Sequence, residues 1–164
     1  MMCGAGPAGN QDEPREESPW LSGARMLLIL EDNTDRLCRF KAAVHRVDSL
    51  LEVHAWRNAH LMIREVASFL PQARLLSLDH DLEPEEGDST DPGTGWDVAQ
   101  FLARQRPCCP VIVHTSNSER AAWMVGEFQL YGWDFHRVPA LGDDWIEQIW
   151  APQVAKLLRR SSRA

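Results

Sequence analysis

The chain has 164 residues, 44% hydrophobic and 25% charged, which suits one domain with a buried core and a tail. Its 24 acidic and 17 basic residues give a net charge of -7, which disfavours a broad electrostatic contact with duplex DNA but leaves room for a pocket that takes one phosphate. No apolar run approaches the roughly 18 residues of a membrane span, and the first residues lack the charged-then-apolar order of a signal peptide. The cysteines Cys3, Cys38, Cys108 and Cys109 have no CxxC spacing, so reduced thiols in a cytoplasmic protein are expected.

Residues 1–24 are rich in Gly, Pro, Glu, Ser and Asn, the composition of a disordered tail, with Trp20 and Leu21 placed to pin its end to the domain over 25–160. Arg25 to Asn33 then reads as a strand buried on both faces and ending in the acidic pair Glu31-Asp32. Asn33 or Thr34 caps a helix over 35–47. Residues 50–56 alternate in part and read as a strand near an edge. Asn58 caps the next helix, which carries Leu61, Ile63, Val66, Phe69 and Leu70 on its buried stripe and ends at Pro71.

Leu75 to Leu78 is a short apolar run opening into Asp79-His80-Asp81. Turn capping by the two aspartates is the plain alternative to a functional role. The stretch 83–95 has no large apolar residue and reads as a mobile acidic loop beside them. A helix over 96–106 follows, then the strand Val111-Ile112-Val113 running into His114-Thr115-Ser116-Asn117. Next come a helix over 118–131 with Gly132 as its C-cap, a weaker strand over 133–138, and a last helix over 145–160 that Pro152 should kink or divide.

Strand and helix therefore alternate through the chain with short links, which predicts an α/β doubly wound parallel sheet with helices on both faces. In the flavodoxin-like order 2-1-3-4-5, the strands ending in acids are neighbours, and chemistry collects outside their carboxyl ends. Glu31, Asp32, Asp79 and the His114–Asn117 cluster then share one crevice. Buried carboxylates require a counter-charge. With lysine at only Lys41 and Lys156, a divalent metal is the natural candidate.

This pattern resembles the receiver fold of two-component signalling over about residues 26–158. The acidic pair is Glu31-Asp32, the phosphorylatable aspartate is Asp79, and the Thr or Ser after strand four is Thr115. The resemblance implies that Glu31, Asp32 and Asp79 bind Mg²⁺, with the backbone carbonyl of Asp81 also in contact. Receivers also need a lysine before the proline that follows strand five; here that position is Val138, ahead of Pro139. The departure argues against an ordinary phosphorylation switch. The stretches LDHDL, GTGWDVAQFL and HTSN are similar to a narrower group, the cyclic-phosphate processing receiver domain family. That resemblance implies an enzyme acting on cyclic phosphates of nucleotides or RNA ends. The haloacid-dehalogenase-like phosphatases offer a rival reading through Asp79-His80-Asp81, Thr115 or Ser116, and Gly142-Asp143-Asp144, although they too need a lysine and normally open with the Asp-x-Asp strand.

Either enzymatic reading expects Mg²⁺ or Mn²⁺ on Glu31, Asp32 and Asp79, because hard oxygen ligands suit hard cations. Thr115, Ser116 and Asn117, together with the start of the following helix, would donate hydrogen bonds to phosphoryl oxygens, and Arg120 would replace the lost lysine. His80 and His114 are the expected acid and base, because imidazole titrates near neutral pH; with Asp79 and Asp81 they complete the expected catalytic set. The non-enzymatic alternative is a degenerate receiver that serves as a phosphorylation-independent interaction domain. The expected partner is a phosphate-containing small molecule or RNA end, with no duplex DNA and no membrane.

Overall fold

The computed structural model describes residues 25–161. The expected tail over 1–24, with Trp20, Leu21 and Cys3, lies outside the described residues. Five strands, β1 (Met26–Leu30), β2 (Glu52–Trp56), β3 (Ala73–Leu78), β4 (Val111–His114) and β5 (Phe135–Val138), form one sheet in the order β2-β1-β3-β4-β5. Every pairing is parallel, and Leu30 lies beside Trp56 on one flank and Leu78 on the other. This is the predicted doubly wound order, and β1 and β3 are neighbours at its centre.

Alternation along each strand divides the interior into two cores. Leu28 and Leu30 of β1 join Leu76 and Leu78 of β3 in a core closed by α2 (Ala59–Glu65), α3 (Gly95–Ala103) and α4 (Ser118–Leu130). Leu27, Ile29 and Leu75 face the other side, under α1 (Thr34–Val47) and α5 (Ala151–Ser161). The central strands are apolar on both faces because helices cover both.

Asparagine side chains begin three of the helices. Asn33, Asn58 and Asn117 each accept from the backbone N–H three residues on, at 2.9, 3.0 and 3.1 Å. Such caps satisfy donors that a helix start leaves without partners. Thr94 and Asp97 form a reciprocal capping box at α3.

Two predicted helices differ in detail. The α-helix after Asn58 ends at Glu65, and the chain reaches Pro71 through two 3₁₀ turns, Val66–Ser68 and Leu70–Gln72. Pro71 biases the residue before it away from continued α-helix, and short 3₁₀ turns absorb the change. The last helix opens with a π turn over Ile146–Trp150, closed by the Ala151 N–H on the Ile146 carbonyl. Pro152 therefore falls in the first turn of α5, where its missing N–H is tolerated.

The loop after Asp81 is fastened at both ends. The Glu83 N–H donates to Asp32 Oδ2 at 2.8 Å, and the Pro92 carbonyl accepts from the Ala59 N–H at 2.8 Å. Among the described residues, no helix is long and apolar enough to cross a membrane. Cys38, Cys108 and Cys109 are free thiols.

Candidate metal and phosphate site

Parallel pairing carries the ends of β1 and β3 to the same edge of the sheet. The Glu31 N–H still bonds the Trp56 carbonyl and the Asp79 N–H bonds the Leu30 carbonyl, both at 3.0 Å, so the ladder runs into the acids themselves. Glu31, Asp32 and Asp79 are all buried.

Each carboxylate is held by one backbone donor. Glu31 Oε1 accepts from the Asn33 N–H at 2.9 Å, Asp32 Oδ2 from the Glu83 N–H at 2.8 Å, and Asp79 Oδ1 from the His80 N–H at 2.7 Å. These bonds hold one oxygen of each carboxylate; the ligand atoms that come within 4.8 Å of one another are those of Glu31, Asp79 and His114, and Asp32 stands beside them. Glu31 Oε2 and Asp32 Oδ1 are buried with no hydrogen-bond donor. Buried anionic oxygens of this kind suit a hard divalent cation.

The cation that meets this cluster is Arg36, in the first turn of α1. Its Nη2 lies 3.0 Å from Glu31 Oε1, 3.3 Å from Asp79 Oδ2 and 3.6 Å from Asp32 Oδ1. Sequence reading passed over it because an arginine in a helix resembles any solvated basic residue. Its signal was position: it stands three residues after the cap Asn33 and four after Asp32, where a side chain reaches back over the helix N-terminus.

Burial dominates the protonation of the cluster. Desolvation raises the Glu31 carboxyl to about 7, opposed by the Asn33 N–H and by Arg36. Desolvation likewise raises Asp79 to about 6. It lowers His114 to about 4, so that ring is neutral at pH 7.

His114 is wholly enclosed at the end of β4, with Phe40 and Trp145 rings packed on it at 5.1 and 5.8 Å. Its Nδ1 meets Ser77 Oγ at 2.8 Å, and Ser77 Oγ accepts from Trp150 Nε1 at 2.9 Å. Indole is a donor only, and the Ser77 oxygen has two lone pairs, so Ser77 can donate to His114 Nδ1 or accept from it. The other ring nitrogen, Nε2, faces Glu31 Oε2 at 3.4 Å. Glu31, Asp79 and His114 can bring one ligand atom each within 4.8 Å of one another. His114, which the sequence expects to act as an acid or base, thus lies fully buried behind Glu31.

A sequence model of the cyclic-phosphate processing receiver domain matches residues 26–129. The chain belongs to this family. Among curated proteins none matches the chain. Solved receiver domains share its fold. The signal receiver domain of a protein named as a Luxo repressor from Vibrio parahaemolyticus is 19% identical, with a TM-score of 0.60 over 84% of this chain and 92% of that one. The response regulator domain of Thermotoga maritima CheB is 13% identical, with a TM-score of 0.58 over 85% and 96%. The isolated REC domain of RcsB from Salmonella enterica serovar Typhimurium is 15% identical, with a TM-score of 0.57 over 84% and 90%. At such identities the likeness is one of fold.

The other predicted residues of this receiver domain divide by place. Thr115 is buried beside the cluster's strand ends; its Oγ1 accepts from the Asn117 N–H at 3.2 Å, and its carbonyl accepts from the Ala140 N–H. Ser116 is exposed. Asn117 spends its side chain on the α4 cap, and the Arg120 guanidinium lies 4.0 Å over the Trp123 ring. Arg120 thus stacks along α4, and Arg36 is the arginine in contact with the acids. His80 is buried and its Nδ1 bonds Asp81 Oδ1 at 2.8 Å. The Asp81 side chain is 59% exposed, whereas Asp79 is buried. The Asp-x-Asp of a haloacid-dehalogenase-like site therefore does not assemble. Gly142, Asp143 and Asp144 are exposed, with the Asp143 carbonyl bound to Arg39.

Proposed function

We propose that this receiver domain is a metal-dependent phosphoesterase that opens cyclic phosphates of nucleotides or RNA ends. The observation that carries the reading is the burial of three carboxylates at one edge of the sheet. Each is fastened through one backbone donor, and Glu31 Oε2 and Asp32 Oδ1 remain buried without donors. A scaffold gains nothing from such oxygens, which cost stability unless something cationic completes them.

Glu31, Asp32 and Asp79 would hold Mg²⁺ or Mn²⁺, which supplies charge neutralisation at phosphoryl oxygens and orients the attacking water. The protein's own groups do the rest. Ser116 and the open start of α4 supply donors at the crevice rim, and a helix N-terminus favours an anion there. His80, with Nδ1 held by Asp81, is the proton carrier. As water adds to phosphorus, His80 takes a proton from it, the P–O bond to one ribose oxygen breaks, and His80 delivers a proton to that oxygen, leaving a phosphomonoester and a free hydroxyl. His114, neutral and fully enclosed behind Glu31, stays out of the proton transfer.

The test is hydrolysis of 2′,3′-cyclic nucleotides with Mg²⁺, Mn²⁺ or EDTA. Turnover should require metal and vanish in Asp79→Asn along with most metal affinity. His80→Ala should lose about 10²–10⁴-fold in turnover and keep metal binding. Absence of turnover with either metal, together with equal Mg²⁺ affinity in the parent and Asp79→Asn, would reject the enzyme. That result would favour the second reading, a phosphorylation-independent interaction domain, which the internal neutralisation of the acids by Arg36 supports.

A further inference from the structure

Three carboxylates surround one guanidinium at the end of β1 and β3. When all three are ionised, as metal ligands would be, they outnumber it by two charges, the amount a divalent cation supplies. The contacts of Arg36 Nη2 are to Glu31 Oε1, Asp79 Oδ2 and Asp32 Oδ1, so a metal drawing on these carboxylates competes with it for them. Its backbone is fixed by the Asn33 cap at 2.9 Å, but its side chain is 29% exposed and leads to the crevice. Its Nε is buried without a hydrogen-bond partner, so the fork has a donor to spare.

Among the described residues, no other cation of the site is equally available. Arg57 donates Nε to the Asp32 carbonyl and faces Glu85. Arg120 lies on Trp123, and the position of the receivers' lysine holds a buried valine, Val138.

We propose that Arg36 is the phosphate-binding residue of this site and couples it to metal: it neutralises Glu31, Asp32 and Asp79 in the metal-free protein, and turns its guanidinium to phosphoryl oxygens once a divalent cation takes the carboxylates. The inference rests on the metal-dependent reading of the site. A planar fork of donors matches a phosphate's oxygens in a way a lysine ammonium does not, which makes arginine a fitting occupant of the role. Exchange of partners also orders binding. With the acids unneutralised, Arg36 stays with them and the crevice repels an anion. With them neutralised, it is released toward the substrate.

Calorimetry on the whole chain tests this without turnover. Mg²⁺ is titrated first, then inorganic phosphate at saturating Mg²⁺, into the parent, Arg36→Gln and Arg36→Lys. Removing the competing guanidinium should tighten Mg²⁺ binding by several-fold in Arg36→Gln, while phosphate binding weakens by roughly tenfold or more. Arg36→Lys keeps the charge but loses the fork; it should restore near-parental Mg²⁺ affinity and leave phosphate binding weak. In the parent, phosphate should not bind in EDTA. Unchanged or weaker Mg²⁺ binding in Arg36→Gln, or parental phosphate affinity in both variants, overturns the inference while leaving a metal-binding site in place. A parent that binds no Mg²⁺ overturns the metal-dependent reading and the inference together.

Discussion

Glu31, Asp79 and His114 hold protons in the folded chain differently from free side chains, and the difference has a sign that can be measured. Glu31 and Asp79 have folded values of about 7 and 6, raised from 4.5 and 3.8. Between those limits the folded state binds more protons than the unfolded one, so their contribution to stability falls as pH rises. His114 is lowered from 6.5 to about 4, so its contribution rises with pH across that window. Asp79→Asn removes the Asp79 term, because the amide oxygen can still accept from the His80 N–H while the buried charge is gone, and it also lowers His114 further by removing a neighbouring negative charge. In EDTA, the stability of Asp79→Asn relative to the parent should grow between pH 4 and 7 by on the order of 2 kcal/mol. Paired thermal melts check it, and a difference that stays constant across that range would sink the assignment. The acids were legible in the sequence because they end apolar strands. Arg36 was not, and neither was the Trp150–Ser77–His114 chain. Ser77 reads as part of an apolar run, and nothing in the sequence shows that a tryptophan 73 residues away reaches its hydroxyl.

Elements also impose demands that no side-chain chemistry reveals. The start of α3 is pressed against the end of β3: the Gly95 N–H bonds the His80 carbonyl at 3.0 Å, and a Cβ on Gly95 would sit 1.9 Å from the Asp79 carbonyl oxygen. Backbone occupies that space, so a methyl group cannot be absorbed by rotating a side chain. Gly95→Ala should therefore destabilise the fold by about 2–4 kcal/mol, as overpacking against backbone does, and weaken Mg²⁺ binding by moving Asp79. A variant that melts with the parent and binds Mg²⁺ equally would show that the junction is soft. The acidic stretch that reads as a mobile loop is tied at Glu83 and Pro92, one tie reaching Asp32 itself. Its ends were illegible because both ties use backbone groups, which composition does not encode. The π turn before Pro152 was legible only as a disturbance. A proline announces that a helix must adjust and leaves the manner to the packing of Trp150 and its neighbours.

At the scale of the whole molecule, the sequence carried the fold because alternating strand and helix patterns with short links admit few topologies. Burial of β1 and β3 on both faces then places them centrally, and their acidic ends meet by geometry alone. What the molecule omits is as consequential. Val138 is buried in the core under α1 and α5, beside the Ile112 and Trp145 cluster, at the place where the receiver pattern puts a lysine. Converting that position to a cation would require opening the core, so the loss is built into the packing. An aspartyl phosphate on Asp79 would meet a buried valine where the receiver pattern puts the lysine that grips it. Acetyl phosphate with Mg²⁺ should accordingly leave no persistent phospho-Asp79 on the parent. Intact mass after short and long incubation checks it. A stoichiometric adduct that outlasts removal of the donor and is missing from Asp79→Asn would mean that this crevice stores phosphate as a signal, and the phosphoesterase reading would lose its ground.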